Sequence, residues 1–106
     1  MSDEAPILQI ELLPTGLRLV GDIDAAGVDS LVSHLDPLPE SGVEIVIDLS
    51  AVAFIDSSGF RALIEAHQRA ERAGRLVVMA DPSPAVRRLF DISGLVPYLH
   101  VRSIGT

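Results

Sequence analysis

Asp56-Ser57-Ser58-Gly59 is the stretch whose residue types and spacing could do chemistry. Two hydroxyls follow an acid and precede a glycine, at the point where the apolar pattern changes period. Before it, Ile45 to Leu49 is short and β-branched with one acid, Asp48, which reads as a strand covered on both faces. A short crossing leads from that strand to the turn. Beyond it, Phe60, Leu63, Ile64, His67 and Ala70 recur three or four apart, the stripe of an amphipathic helix. As local structure, the turn is a helix cap: its serine oxygens accept the orphan backbone N–H groups and Gly59 relieves crowding. As chemistry, a serine hydroxyl there could accept a phosphoryl group, because a helix N-terminus favours an added anion. Asp22, Asp24 and Asp56, if close, would oppose it. A phosphate brings about −1.5 to −2 charges at neutral pH, enough to spoil a complementary surface and switch binding without refolding.

Other reactive side chains weaken on inspection. A hydrolase would use Ser57 as nucleophile at a strand-to-helix turn, but that elbow needs glycine two places either side of the serine. Ile55 stands at the first place and Gly59 at the second, and no His–acid pair is identified to activate the hydroxyl. His34, His67 and His100 are far apart without ligand spacing, so a zinc site is not expected; His67 reads as a packed residue of its helix stripe. Asp48, read at a strand end, is expected to be solvated or satisfied by backbone donors. Arg87-Arg88 reads as a solvated helix face.

The elements that must position the turn follow from the chain in order. Ile7 to Leu13 and Leu17 to Val20 flank Pro14-Thr15-Gly16 and read as a hairpin at the sheet edge. Gly21-Asp22-Ile23-Asp24 reads as an acid-rich turn, with Asp24 capping a helix that carries Val28, Leu31, Val32 and Leu35. Pro37, Pro39 and Gly42 are expected to end that helix. After the central strand, the long helix runs to about Ala73, with Arg69 and Arg72 suited to its C-terminal dipole and Gly74 as the stop. Leu76 to Ala80 reads as a buried strand. Ser83-Pro84 opens another helix, with Val86, Leu89 and Phe90 apolar and Gly94 and Pro97 closing it. Tyr98 to Val101 reads as a last, weaker strand. The sum, β-β-α-β-α-β-α-β, implies an α/β fold with a small mixed sheet of about five strands and three to four helices, the Ser57 turn at one sheet edge.

Composition bounds the partners. The 106 residues fit one domain with a single core, and 48% hydrophobic against 22% charged residues is a globular balance. The net charge is −7, with all eight basic residues arginine. Such a surface repels phosphate backbones and acidic lipid heads, and four aromatics without tryptophan leave no stacking platform, so nucleic acid and membrane are not expected partners. The absence of cysteine excludes disulfides and thiolate metal sites. Met1-Ser2-Asp3-Glu4 lacks a signal-peptide pattern and no apolar run approaches a membrane span, so a cytoplasmic, soluble protein is expected.

Three segments carry a resemblance. Gly21-Asp22-Ile23-Asp24 is similar to a Gly-Glu-Leu/Ile-Asp motif, and Ile55-Asp56-Ser57-Ser58-Gly59 to an apolar-Asp-Ser-Ser/Thr-Gly phosphorylation loop. Ser83 to Leu95, with Arg88-Leu89-Phe90-Asp91-Ile92-Ser93-Gly94-Leu95, resembles a third motif in the right order and spacing. Over nearly its whole length the chain resembles a STAS domain, specifically the stand-alone bacterial anti-sigma factor antagonists. The resemblance implies one STAS domain over residues 1–106 with no catalytic residue or cofactor of its own; a monomer when free is the default for a single domain, and no metal is expected. It implies that Ser57 is phosphorylated by the anti-sigma factor itself, a serine kinase of the histidine-kinase-like ATPase fold that supplies ATP and magnesium. The unphosphorylated form would bind that kinase and free its sigma factor; phosphorylation would release the antagonist and a serine phosphatase would restore it. Asp24, Asp56, Ser57, Ser58 and Gly59 would form the partner-binding loop surface, with Ser58 a cap or hydrogen-bond partner rather than the acceptor. The chain departs from the family at Asp22, where Glu is commoner, and at Phe60-Arg61, where Leu-Gly is frequent; Arg61 reads as ordinary surface. The alternative within the family is a non-phosphorylated STAS subunit that scaffolds a lipid-transport or stress-sensing complex.

Overall fold

A computed structural model describes residues 8–35 and 44–104 of the chain. Five strands and three α-helices follow the expected order: β1 (Leu8–Leu13), β2 (Gly16–Ile23), α1 (Ala25–Leu35), β3 (Glu44–Ile55), α2 (Ser57–Arg72), β4 (Leu76–Ala80), α3 (Pro84–Ser93) and β5 (His100–Arg102). One 3-10 turn, Val96–Tyr98, precedes β5. The strands lie in the order β1-β2-β3-β4-β5, with β1 antiparallel to β2 and every later pair parallel. The hairpin around Pro14 and Thr15 is therefore present, and each helix serves as a crossover between parallel strands, as the alternating pattern implies. Ile7 and the expected helix-ending residues Pro37, Pro39 and Gly42 lie outside the described residues.

The central strand departs from its expected form in length and in covering. It runs twelve residues, so Ser50 to Ala53 are strand rather than a crossing, and Asp48 is mid-strand. Ile45, Ile47 and Leu49 are buried while Val46 and Asp48 are only half-buried and Ser50 is exposed, so one face is covered, not both. The register explains why the pattern hides the rest of the strand. Arg18 pairs with Asp48 but Val20 with Ala51, and Gly21 with Val52 but Asp22 with Phe54. Each shift places an extra residue in β3, and each bulge re-aims the alternation, so Val52 and then Ile55 turn inward. Asp48 stabilises the first bulge. Its Oδ1 accepts from the Ser50 amide at 2.9 Å and hydroxyl at 2.7 Å, and its Oδ2 from Arg18 Nε at 3.2 Å. Gly21 and Asp22 are likewise strand residues; Gly21, at the second bulge, has a φ of 105°, open to glycine and strained for other residues.

One core holds the layers together. Leu17, Leu19 and Ile23 of β2, Ile45, Ile47 and Leu49 of β3, and Val77 and Met79 of β4 meet Leu31, Leu35, Leu63, Ala66 and Phe90 from the helices. In α2 the buried positions are Gly59, Ala62, Leu63, Ala66, His67 and Ala70; Phe60 and Ile64 of the expected stripe sit at its margin, packed against the core. Phe60 meets Phe90 with ring centroids 5.7 Å apart, tying the start of α2 to α3. The last strand is displaced from the expected Tyr98–Val101, because Pro97 lies within a 3-10 turn, Val96–Tyr98, that leaves Tyr98 exposed. The turn at Ser57 also sits differently: it caps the carboxyl end of β3, the middle strand, not a lateral edge of the sheet.

Candidate functional site

The end of β3 and the start of α2 share a single break, Asp56, whose backbone is extended (φ −106°, ψ −175°) and whose side chain caps the helix. Asp56 Oδ1 accepts from the Gly59 amide at 3.0 Å and from the Ser58 hydroxyl at 2.6 Å. The Ser58 hydroxyl and then the Gly59 amide hold the Asp56 carboxyl below the usual carboxylate range, against opposing desolvation, and the Ala25 amide at the start of α1 adds to this. Ser58 is thus occupied as a hydrogen-bond donor, the role expected for it. Ser57 is the first residue of α2, is exposed, and its hydroxyl has no hydrogen-bond partner among the described residues.

Neighbouring backbone locks this geometry. Ile23 pairs with Ile55, and the Asp56 N–H donates to the Ile23 carbonyl at 3.1 Å. A Cβ at Gly59 would stand 2.6 Å from both the Ile23 carbonyl oxygen and its Cγ2. Only glycine lets the first turn of α2 approach the end of β2 so closely. Asp24, immediately after Ile23, accepts from the Ala26 amide at 3.1 Å through Oδ1 and from the Gly27 amide at 2.9 Å through its carbonyl, which starts α1. The ends of two adjacent parallel strands therefore each carry an aspartate, and each aspartate opens a helix. Asp22 pairs in register with Phe54 on the same strand ends.

Two shallow grooves lie at this end of the sheet, one of them lined by Ser57. One, of about 260 Å³, lies between α1 and α2 and is lined by Val28, Val32, Ser57, Ser58, Arg61 and Glu65, with Ala62 at its floor. Arg61 is exposed one helical turn from Ser57, and makes no ion pair among the described residues. The other groove, of about 370 Å³, lies between the end of β3 and the start of α3, lined by Phe54, Ile55, Pro84, Ala85 and Arg88. Phe54 is 49% exposed, a large apolar side chain left uncovered beside the loop. Arg87 and Arg88 are exposed, as a solvated face requires.

The structure separates the three histidines into two environments. His34 is exposed on α1, its Nδ1 2.8 Å from the Ser30 carbonyl oxygen. His67 is buried on α2, as its place in the stripe implies, but the fold brings it beside His100, with ring centroids 5.6 Å apart. Their separation in sequence conceals that proximity. Among the described residues, no helix is long and apolar enough to cross a membrane.

Fold and loop together define a family. Residues 6–103 match the model of the STAS domain, and the chain belongs to that family. It is 30% identical over 79 residues to the anti-sigma-B factor antagonist of Bacillus subtilis, covering 74% of this chain and 72% of that one. It shares the fold of the anti-sigma factor antagonist SpoIIAA in its unphosphorylated form, with a TM-score of 0.69 at 23% identity over 92% of this chain and 88% of that one. The phosphorylated form of SpoIIAA, a Bacillus cell fate determinant, matches with a TM-score of 0.68 at 20% identity over 92% and 91%. These relatives are regulatory proteins named as antagonists of anti-sigma factors.

Proposed function

We propose that this chain is an anti-sigma factor antagonist whose hold on its partner is released by phosphorylation of Ser57. The observation that carries the reading is the division of labour between two adjacent serines: Ser58 is hydrogen-bonded to Asp56, while Ser57 is exposed and its hydroxyl has no hydrogen-bond partner among the described residues. In the transfer, Ser57 Oγ bonds to the γ-phosphorus of ATP, the bond from that phosphorus to the β-phosphate bridging oxygen breaks, and the hydroxyl proton leaves to a base of the partner. The partner is an anti-sigma factor that is itself an ATP- and magnesium-dependent serine kinase, and a serine phosphatase reverses the modification. This chain is then the substrate and supplies no catalytic group or cofactor. Its contact surface comprises Asp24, Asp56, Ser57 and Ser58 with the two grooves; Gly59, packed on Ile23, shapes that surface from beneath.

The new charge acts by position. It lands on the rim of the groove between α1 and α2, so a partner fitted to a neutral serine meets a dianion instead. That SpoIIAA has this fold in both forms supports a switch that works through the surface. The test is phosphosite mapping by mass spectrometry on the native protein from growing and stressed cells, with partner capture alongside. A phosphate on Ser57 whose occupancy changes, and a captured kinase that unmodified chain binds and phosphorylated chain does not, are the expected results. A chain unmodified in every condition and held by fixed partners would replace this reading with a scaffold.

A further inference from the structure

His67, Glu71 and His100 form a cluster well removed from the Ser57 loop. His67 and Glu71 are one turn apart on α2, with His67 Nε2 3.5 Å from Glu71 Oε2. His100 is the first residue of β5, the edge strand, and its ring tilts 52° against that of His67. One possible ligand atom from each of the three lies within 4.8 Å of the others. His67 is only 5% exposed, and both its Nδ1 and the His100 Nε2 are buried without a hydrogen-bond partner among the described residues. Buried polar atoms of a native fold are almost always paired, so the unpaired His100 Nε2 calls for an occupant; His67 approaches Glu71 through its other nitrogen, Nε2.

We propose that His67, Glu71 and His100 bind a divalent transition-metal cation of the zinc class. Two imidazoles and a carboxylate are the donor set that suits zinc and its neighbours; calcium and magnesium want oxygen alone. Ligand atoms around a tetrahedral zinc stand roughly 3.4 Å apart, given metal–ligand bonds of ~2.1 Å. His67 and Glu71 already have that spacing, and the exposed Glu71 carboxylate is free to follow the metal. Three protein ligands leave a coordination position for water. His67 and Glu71 also line a groove of about 330 Å³ with Ile64, Gln68, Leu95, Tyr98 and Leu99, which gives the ion a route from solvent.

The bound ion cross-links α2 to the end of the chain. Strand β5 has only three residues and three register pairs with β4. It is otherwise held by the Arg102–Glu44 ion pair and the bonds of Asp81 to Arg102, Ser103 and Ile104, all beyond His100 in sequence, so the ion adds a tie at its first residue. Ten residues of α2, about 15 Å of helix, separate His67 from Ser57. The metal therefore secures the C-terminal strand without touching the phosphorylation loop, and the site stands whether or not Ser57 is modified.

The test titrates chelator-stripped full-length chain with zinc chloride by calorimetry and with cobalt(II) by visible absorption. One saturable equivalent is expected, with a raised thermal midpoint and a cobalt spectrum of low-symmetry nitrogen–oxygen coordination. Glu71→Gln and His100→Gln, both at the rim of the cluster, should each weaken zinc by at least about tenfold while circular dichroism stays unchanged. His34→Gln should leave binding intact. Absence of saturable binding below millimolar zinc, or binding that survives the Glu71→Gln/His100→Gln double variant, overturns the proposal.

Discussion

Ser57 and Ser58 are chemically identical and one peptide apart, yet the helix start gives them opposite roles. At the second position of the helix Ser58 donates to Asp56 at 2.6 Å and is tied into the cap; at the first, Ser57 faces solvent. Ser57→Ala is therefore expected to fold normally and keep partner binding while incorporating no phosphate, and so never to be released. Ser58→Ala keeps the acceptor and should still be phosphorylated, with some loss of stability from the weakened cap. Incubation with the captured kinase and radiolabelled ATP separates the two, and label on Ser57→Ala would refute the assignment. Ser57→Asp is expected to weaken the partner only in part, since one charge lacks phosphate's geometry and acceptor oxygens. At Gly59 a methyl group has nowhere to go: the atoms it meets at 2.6 Å include the Ile23 carbonyl. Gly59→Ala should cost about 1–3 kcal/mol in urea unfolding, the range for forced overpacking, and should impair phosphorylation by displacing the turn.

At the scale of elements, the caps were readable and the bulges were not. Ser83-Pro84 announces a helix start, and Ser83 Oγ does accept from the Val86 amide, at 3.4 Å. Ser83→Ala should cost about 1 kcal/mol or somewhat less, as caps do, because the contact is long; a loss several times larger would mean that Ser83, which is buried, has a packing role as well. The same local chemistry made Asp24, Gly74 and Gly94 legible, since a cap or a stop involves residues close in sequence. At the start of α2 the cap is the Asp56 carboxylate rather than the serine oxygens expected there, because the acid precedes the helix and Ser58 donates to it. Strand β3 shows the opposite. Its two extra residues relative to β2 break the period-two alternation at Ser50 and again at Ala53, so a twelve-residue strand reads as five residues and a crossing. Bulges are set by pairing with a partner strand, which no local pattern reports. Pairing also decides that Ser57 follows the middle strand, and that His100 meets His67.

For the molecule as a whole, electrostatics sets both a stability limit and the logic of the switch. Among the described residues, three carboxyls are held below their usual range. Glu44 is lowered by the hydrogen bond from Arg102 and Asp56 by those from Ser58 and Gly59. At Asp48 burial pushes upward, but Ser50 and Arg18 outweigh it. A carboxyl depressed in the folded state contributes stability above its unfolded pKa, near 4, and loses it as pH falls through the folded value. Thermal midpoints should therefore fall below about pH 4, and an Asp48→Asn variant should show a shallower decline; identical acid profiles would count against the Asp48 contribution. Phosphorylation alters charge at the other extreme, on an exposed side chain. It takes the net charge from −7 to about −9 at neutral pH, and places the added charge at the positive end of the α2 dipole, which tolerates it. Because the unmodified Ser57 hydroxyl makes no hydrogen bond among the described residues, its modification breaks none there, so the fold should not change. Backbone amide spectra of the two forms should differ only around Ser57, through residues 24–32 and 54–65, with β4, α3 and β5 unmoved and the thermal midpoint nearly constant. Shifts spreading across β4 and β5 would instead mean that the switch acts by rearranging the sheet, and that the surface reading of this loop is wrong.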